Sequence, residues 1–194
     1  MKKALFIFTG GGYNADRPLL YYTRKLCINK GFDVFVSSYS LMGMKPHDDS
    51  SIDDSIEKGL EAVKESFADT DFSKYEKLYF ASKSVGTVIA VRFASYKKLC
   101  VSHILFTPLE QTFTAIEDYR RNSLEEKDFS KSCIAFSGTK DPWIDAKVTK
   151  SLCKKLHIPL VKVKGANHSL ESGKMMKDIK TLKAVMKKVE RFIR

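Results

Sequence analysis

Ser84, Asp141 and His168 are the side chains of this sequence whose types and settings suit nucleophilic chemistry. Ser84 sits in Ser82-Lys83-Ser84-Val85-Gly86, between the apolar run Leu78–Ala81 and an apolar stretch that starts at Val85 with helical spacing. That run reads as a buried parallel strand, so the chain must turn from strand to helix in about one residue, with a hydroxyl at the tip. Asp141 lies in the turn Gly138-Thr139-Lys140-Asp141-Pro142, and His168 in Gly165-Ala166-Asn167-His168. A serine becomes a nucleophile when an imidazole takes its proton and a carboxylate orients that imidazole. Asp before Pro is also a plain turn former, and Glu110 and Asp145 are alternative acids. Of the other histidines, His103 lies inside a strand and reads as core. His157 precedes a strand, at the wrong end of a sheet, and His47 lies in a polar loop.

The elements that must hold these residues alternate along the chain. Strands are predicted at Lys3–Thr9, Asp33–Ser38, Leu78–Ala81, Ser102–Phe106, Ser132–Ser137 and Pro159–Val163. Helices are predicted from a cap at Asn14 or Asp16 to about Lys30, from Ile52 to Phe67, and from Ser84 to Tyr96. Further helices are expected at Gln111–Arg121 and Ile144–Leu156, with one more at the C-terminal end. The last carries Met175, Ile179, Leu182, Met186, Val189 and Ile193 at a spacing that predicts a core-facing stripe. Strand–helix alternation predicts an α/β class fold, a three-layer doubly wound sandwich with a mostly parallel sheet. Ligands of such sheets bind at the carboxyl ends of the strands, here the loops after Thr9, Ala81, Phe106, Ser137 and Val163.

Ser82-Lys83-Ser84-Val85-Gly86 resembles the nucleophile elbow, G-x-S-x-G, of the α/β-hydrolase superfamily, with Ser82 in place of the first glycine. The resemblance extends over nearly the whole chain, because the order Ser84, Asp141, His168 is the family's order and each residue follows a different strand. It implies one domain over residues 1–194, with six strands in the order 2-1-3-4-5-6 and residues 107–131 in place of a cap. The family's two leading strands are missing. It implies a catalytic triad of Ser84, His168 and Asp141. The backbone N–H groups of Gly11 (Gly12 as second choice) and Val85 would form the oxyanion hole. The implied function is a serine hydrolase, a small carboxylesterase-like enzyme that cleaves a carboxylic ester or thioester through an acyl-enzyme. No metal or organic cofactor is implied. The family's histidine before the glycine turn is absent here. Lys83 is expected to face solvent or to cap the helix, and Phe106, Leu109, Phe113 and Trp143 are expected to offer an apolar wall to an acyl group.

Two other classes compete. Gly10-Gly11-Gly12-Tyr13-Asn14-Ala15 matches G-x-G-x-x-A after a first strand, the fingerprint of a Rossmann-type oxidoreductase binding NAD(P). That fingerprint calls for an acid at the end of the second strand, where this chain has Ser37-Ser38-Tyr39-Ser40. No Gly-Lys-Ser/Thr follows the glycines, which excludes a P-loop. A non-catalytic binding protein on the hydrolase fold is the other class.

The chain has 194 residues, enough for one domain with a sizeable core, and a net charge of +11. Residues 147–194 hold 14 Lys and Arg against 3 Asp and Glu, so they carry the whole excess. These basic residues are spread between apolar helix positions without aromatic interleaving, which reads as a solvated face and predicts no nucleic-acid partner. No apolar run approaches the ~18 residues of a membrane span, so no membrane insertion is expected. Cys27, Cys100, Cys133 and Cys153 have no paired spacing, and four buried thiols in a reducing cytoplasm are the expectation.

Overall fold

The structure is a computed structural model that describes residues 2–37, 39, 48–121 and 129–193. His47 lies outside the described residues, as does much of the loop predicted around it. The strands are β1 (Lys3–Phe8), β2 (Asp33–Val36), β3 (Lys77–Lys83), β4 (Val101–Phe106), β5 (Cys133–Gly138) and β6 (Leu160–Val163). The helices are α1 (Pro18–Asn29), α2 (Asp49–Ser66), α3 (Val85–Tyr96), α4 (Glu110–Arg121), α5 (Phe129–Ser132), α6 (Ala146–Lys155) and α7 (Met175–Phe192). The strands form one parallel sheet in the order β2-β1-β3-β4-β5-β6, the order that the family resemblance implies.

Apolar residues on both sides of the central strands explain the two helical layers. In β1, Ala4, Phe6 and Phe8 face one way, and Leu5 and Ile7 the other; in β3, Leu78 and Phe80 oppose Tyr79 and Ala81. The first face meets residues of α2, α3, α4 and α6, and the second meets α1 and α7. Phe6 anchors the first layer, stacked on Phe35 at 4.7 Å and edge-on to Phe67 at 5.1 Å between ring centroids. Such burial stabilises by ~25 cal/mol per Å² of apolar surface, so the central strands are held from both sides.

Three local expectations change. Neither Asn14 nor Asp16 caps α1. Pro18 occupies its first turn, and the Tyr13 hydroxyl accepts the Leu19 N–H at 3.0 Å, so a residue outside the helix supplies the cap. Cys100 is exposed, while Cys27, Cys133 and Cys153 are buried. In α7 the predicted stripe holds only in its later turns. Val189 and Ile193 are buried and Leu182 and Met186 partly buried, but Met175 and Ile179 are 73% and 53% exposed. The first turns stand off from α1 across a cavity of about 290 Å³ whose lining includes Leu19, Leu170, Ile179 and Leu182. Helical spacing reports which residues share a face; it does not report whether a neighbour reaches that face along its full length.

Candidate active site

The elbow is built by β3 running to Lys83 and α3 starting at Val85, which leaves Ser84 alone to make the turn. Its backbone sits at φ 55° and ψ −128°, a conformation that costs a non-glycine residue roughly 1–3 kcal/mol. The surroundings hold it there: the Ser84 N–H donates to the Phe106 carbonyl at 3.0 Å, and the Ser84 carbonyl accepts the Thr87 N–H at 2.8 Å. Gly86 explains why the pattern needs a glycine. A Cβ at that position would lie 2.2 Å from the Thr9 carbonyl oxygen and 2.7 Å from that of Phe8.

Asp141 and His168 arrive on two loops tied to each other. The Lys140 N–H donates to the Ala166 carbonyl at 2.9 Å, and the Gly165 N–H donates to Thr139 Oγ1 at 2.8 Å. Gly138 lets the two backbones touch, since a Cβ there would meet the Ala166 and Asn167 carbonyl oxygens at 2.2 and 2.5 Å. Asn167 shapes the histidine turn by accepting the N–H groups of Ser169 and Glu171 on Oδ1.

These loops bring the three predicted residues together. The Asp141 carboxylate is fully buried, accepts the Trp143 N–H at 2.9 Å, and lies 2.8 Å from His168 Nδ1 through each oxygen. His168 Nε2 is 2.7 Å from Ser84 Oγ. With the carboxylate ionised, Nδ1–H donates to it, which leaves Nε2 free to accept the Ser84 proton. Burial is the main cause that lowers the His168 pKa to about 4; Lys83 adds to this and Asp141 opposes it. The imidazole is therefore a neutral acceptor across the physiological range. Trp143 lies alongside it, with ring centroids 5.3 Å apart.

The alternative acids are placed elsewhere. Asp145 caps α6 by accepting the Lys147 N–H, so it precedes that helix instead of lying inside it, and Glu110 is exposed at the start of α4. His103 is buried in β4 between the rings of Phe80 and Tyr119, and His157 lies in the turn before β6. The glycine loop closes as a tight turn in which Gly10 and Tyr13 exchange backbone hydrogen bonds at 3.0 and 3.2 Å. Gly10 packs on the elbow, with a Cβ there 3.0 Å from the Lys83 carbonyl oxygen and 3.2 Å from Ser84 Cβ. Gly11 is at the exposed tip, and its N–H, like that of Val85, has no partner among the described residues. The turn does not open α1, which begins only at Pro18, so the glycines lack the strand–turn–helix setting of a dinucleotide fingerprint.

Two expectations about the surroundings are overturned. Lys83 does not face solvent: it is 1% exposed, with Nζ 5.1 Å from the centre of the Tyr13 ring. Strand β3 runs two residues further than predicted, and alternation carries Lys83 to the Tyr79 and Ala81 face. The apolar wall is smaller than expected, because Phe106, Leu109 and Phe113 are consumed by the core and only Trp143 is partly exposed. Among the described residues no cluster of His, Cys, Asp and Glu is placed to hold a metal ion, and no helix is long and apolar enough to cross a membrane.

No family model matches the chain, and no curated protein is similar to it in sequence. Solved structures are similar over nearly its full length. A serine hydrolase without a lid from Xanthomonas campestris is 18% identical, with a TM-score of 0.58 over 98% of this chain and 82% of that one. Est1E from Butyrivibrio proteoclasticus, in a structure with ferulic acid bound, is 15% identical, with a TM-score of 0.64 over 98% of this chain and 88% of that one. An esterase from Pyrococcus furiosus is 13% identical, with a TM-score of 0.63 over 99% and 82%. The chain has the α/β-hydrolase fold.

Proposed function

We propose that this protein is a serine hydrolase that cleaves small carboxylic esters or thioesters through an acyl-enzyme on Ser84. The observation that carries the reading is the unbroken chain from Ser84 Oγ through His168 to Asp141, at 2.7 and 2.8 Å. Nε2 takes the Ser84 proton as Oγ attacks the carbonyl carbon, and Asp141 stabilises the imidazolium that forms. The N–H groups of Gly11 and Val85 receive the oxyanion. His168 then returns the proton to the leaving alcohol or thiol, and water repeats the cycle on the acyl-enzyme. The serine hydrolase from Xanthomonas campestris and the esterase from Pyrococcus furiosus among the structural neighbours support the same reaction class.

A fluorophosphonate probe tests this directly. It should modify Ser84, and Ser84→Ala should lose both labelling and turnover of a nitrophenyl ester. Labelling at Ser82, or none in folded protein, would sink the reading. Calorimetric binding of NAD or NADP would favour the oxidoreductase class instead.

A further inference from the structure

The residue beside the nucleophile is a lysine with almost no solvent. We propose that Lys83 is a positioning residue of this site, whose buried amino group governs how readily His168 takes up the Ser84 proton. The inference rests on the hydrolase reading above.

Its placement is the first argument. Lys83 ends β3 on the α1 and α7 side of the sheet, beneath the glycine turn, where a Cβ on Gly10 would be 3.4 Å from its Cγ. Nζ lies 5.1 Å from the Tyr13 ring centre, and no carboxylate pairs with it among the described residues. An unpaired cation held this way is costly, because desolvation penalises the charged form and one aromatic face returns little of that cost.

The second argument is the set of groups that bear on it. From the β5–α6 loop, Asp141 favours the ammonium; from the β6–α7 loop, His168 feels the ammonium as a repulsive charge. From the β1–α1 loop comes the Tyr13 phenol, un-ionised because burial raises its pKa to about 12, with Glu171 and Arg17 acting on it in turn. Asp141 thus pairs with His168 directly and acts on Lys83 through its charge alone. Burial lowers the Lys83 pKa to about 7, so the ammonium loses its proton near neutrality.

The chemical consequence follows. While Lys83 is protonated, the imidazolium formed during attack faces a like charge. Once Lys83 releases its proton to solvent, that repulsion is gone, and proton transfer from Ser84 becomes easier. Activity then rises through neutral pH although His168 itself is already neutral there.

The test is the second-order rate of fluorophosphonate labelling at Ser84 against pH. For the wild type it should rise about tenfold between about pH 6 and 8.5, one pKa unit of coupling being a factor of ten. Lys83→Met should label at close to the wild-type alkaline rate throughout that window. A Lys83→Met profile that keeps the same rise, or is lowered equally at every pH, would overturn the proposal. NMR of the His168 imidazole separates this from the reading beneath it. In the wild type its resonances should show an inflection near neutrality that Lys83→Met lacks. If folded wild type labels at no pH, the hydrolase reading fails, and the imidazole inflection alone decides whether Lys83 acts on His168. If Lys83→Met does not fold, a wild-type imidazole with no inflection near neutrality overturns the proposal.

Discussion

Asp141 differs from every other acidic side chain near the site in being wholly buried against an imidazole. Asp141→Asn should reduce kcat by about 10⁴-fold, because an amide favours the wrong imidazole tautomer. Glu110→Gln and Asp145→Asn should change kcat little, since one side chain is exposed on α4 and the other caps α6. Measuring kcat on one ester for the three variants checks this; a crippled Glu110→Gln would move the acid to α4. Lys83 has a separate signature in stability. Its pKa falls to about 7 on folding, so above that pH the unfolded chain binds more protons than the folded one. Stability should therefore increase with pH from about 7 to about 8.5, above which the buried thiols of Cys27, Cys133 and Cys153, with raised pKa values, pull the other way. Urea midpoints for wild type and Lys83→Met across that window check the sign, since only the wild type should rise. Ser84, Asp141 and His168 were legible in the sequence because a hydroxyl, a carboxylate and an imidazole each follow a different strand, and the structure brings them within hydrogen-bond distance. Lys83 was not, because the apolar run ends at Ala81 and the two polar residues after it continue the strand.

At the scale of elements, the sequence revealed the six strands and every α-helix among the described residues except α5, which was read as loop, since a sheet buried on both faces writes long apolar runs. It was less informative about what each helix touches. The first turns of α7 expose Met175 and Met176, while Val189 is packed against the sheet. Met175→Gln with Met176→Gln should change stability by less than about 0.5 kcal/mol per site, whereas Val189→Ala should cost about 1–3 kcal/mol. Chemical denaturation of the two variants distinguishes an open helix end from a packed one. Equal losses would place the methionines in the core after all. The cap of α1 was also hidden, because Tyr13 reaches it from outside the helix and a tyrosine at that spacing carries no capping signature.

At the scale of the whole molecule, charge and exposed apolar surface are what a substrate meets first. The excess of basic residues lies in residues 147–194. Lysines dispersed over a solvated face bind phosphates weakly, so association with DNA should vanish by roughly physiological salt, as a gel-shift series would show. The surroundings of Ser84 have little apolar surface to offer, because Phe106 and Phe113 are used inside the core. Each buried CH₂ is worth about 0.8 kcal/mol only where there is wall to bury it, so kcat/KM on nitrophenyl esters should peak at about two to six carbons. A steady rise to long chains would contradict this. The two glycine contacts have a consequence of their own for how such a site can break. Gly86 locks the serine to β1, and Gly138 locks the histidine turn to β5, with no shared atoms. The site is thus two prefabricated halves whose direct link among the described residues is the Ser84–His168 hydrogen bond, and each half can be lost without dismantling the other. Gly86→Ala and Gly138→Ala should each silence the same chemical step, so the double variant should be no less active than the worse single one. Their losses of stability should instead sum, because the two backbone contacts lie on opposite flanks of β3 and β4 and act on the fold separately.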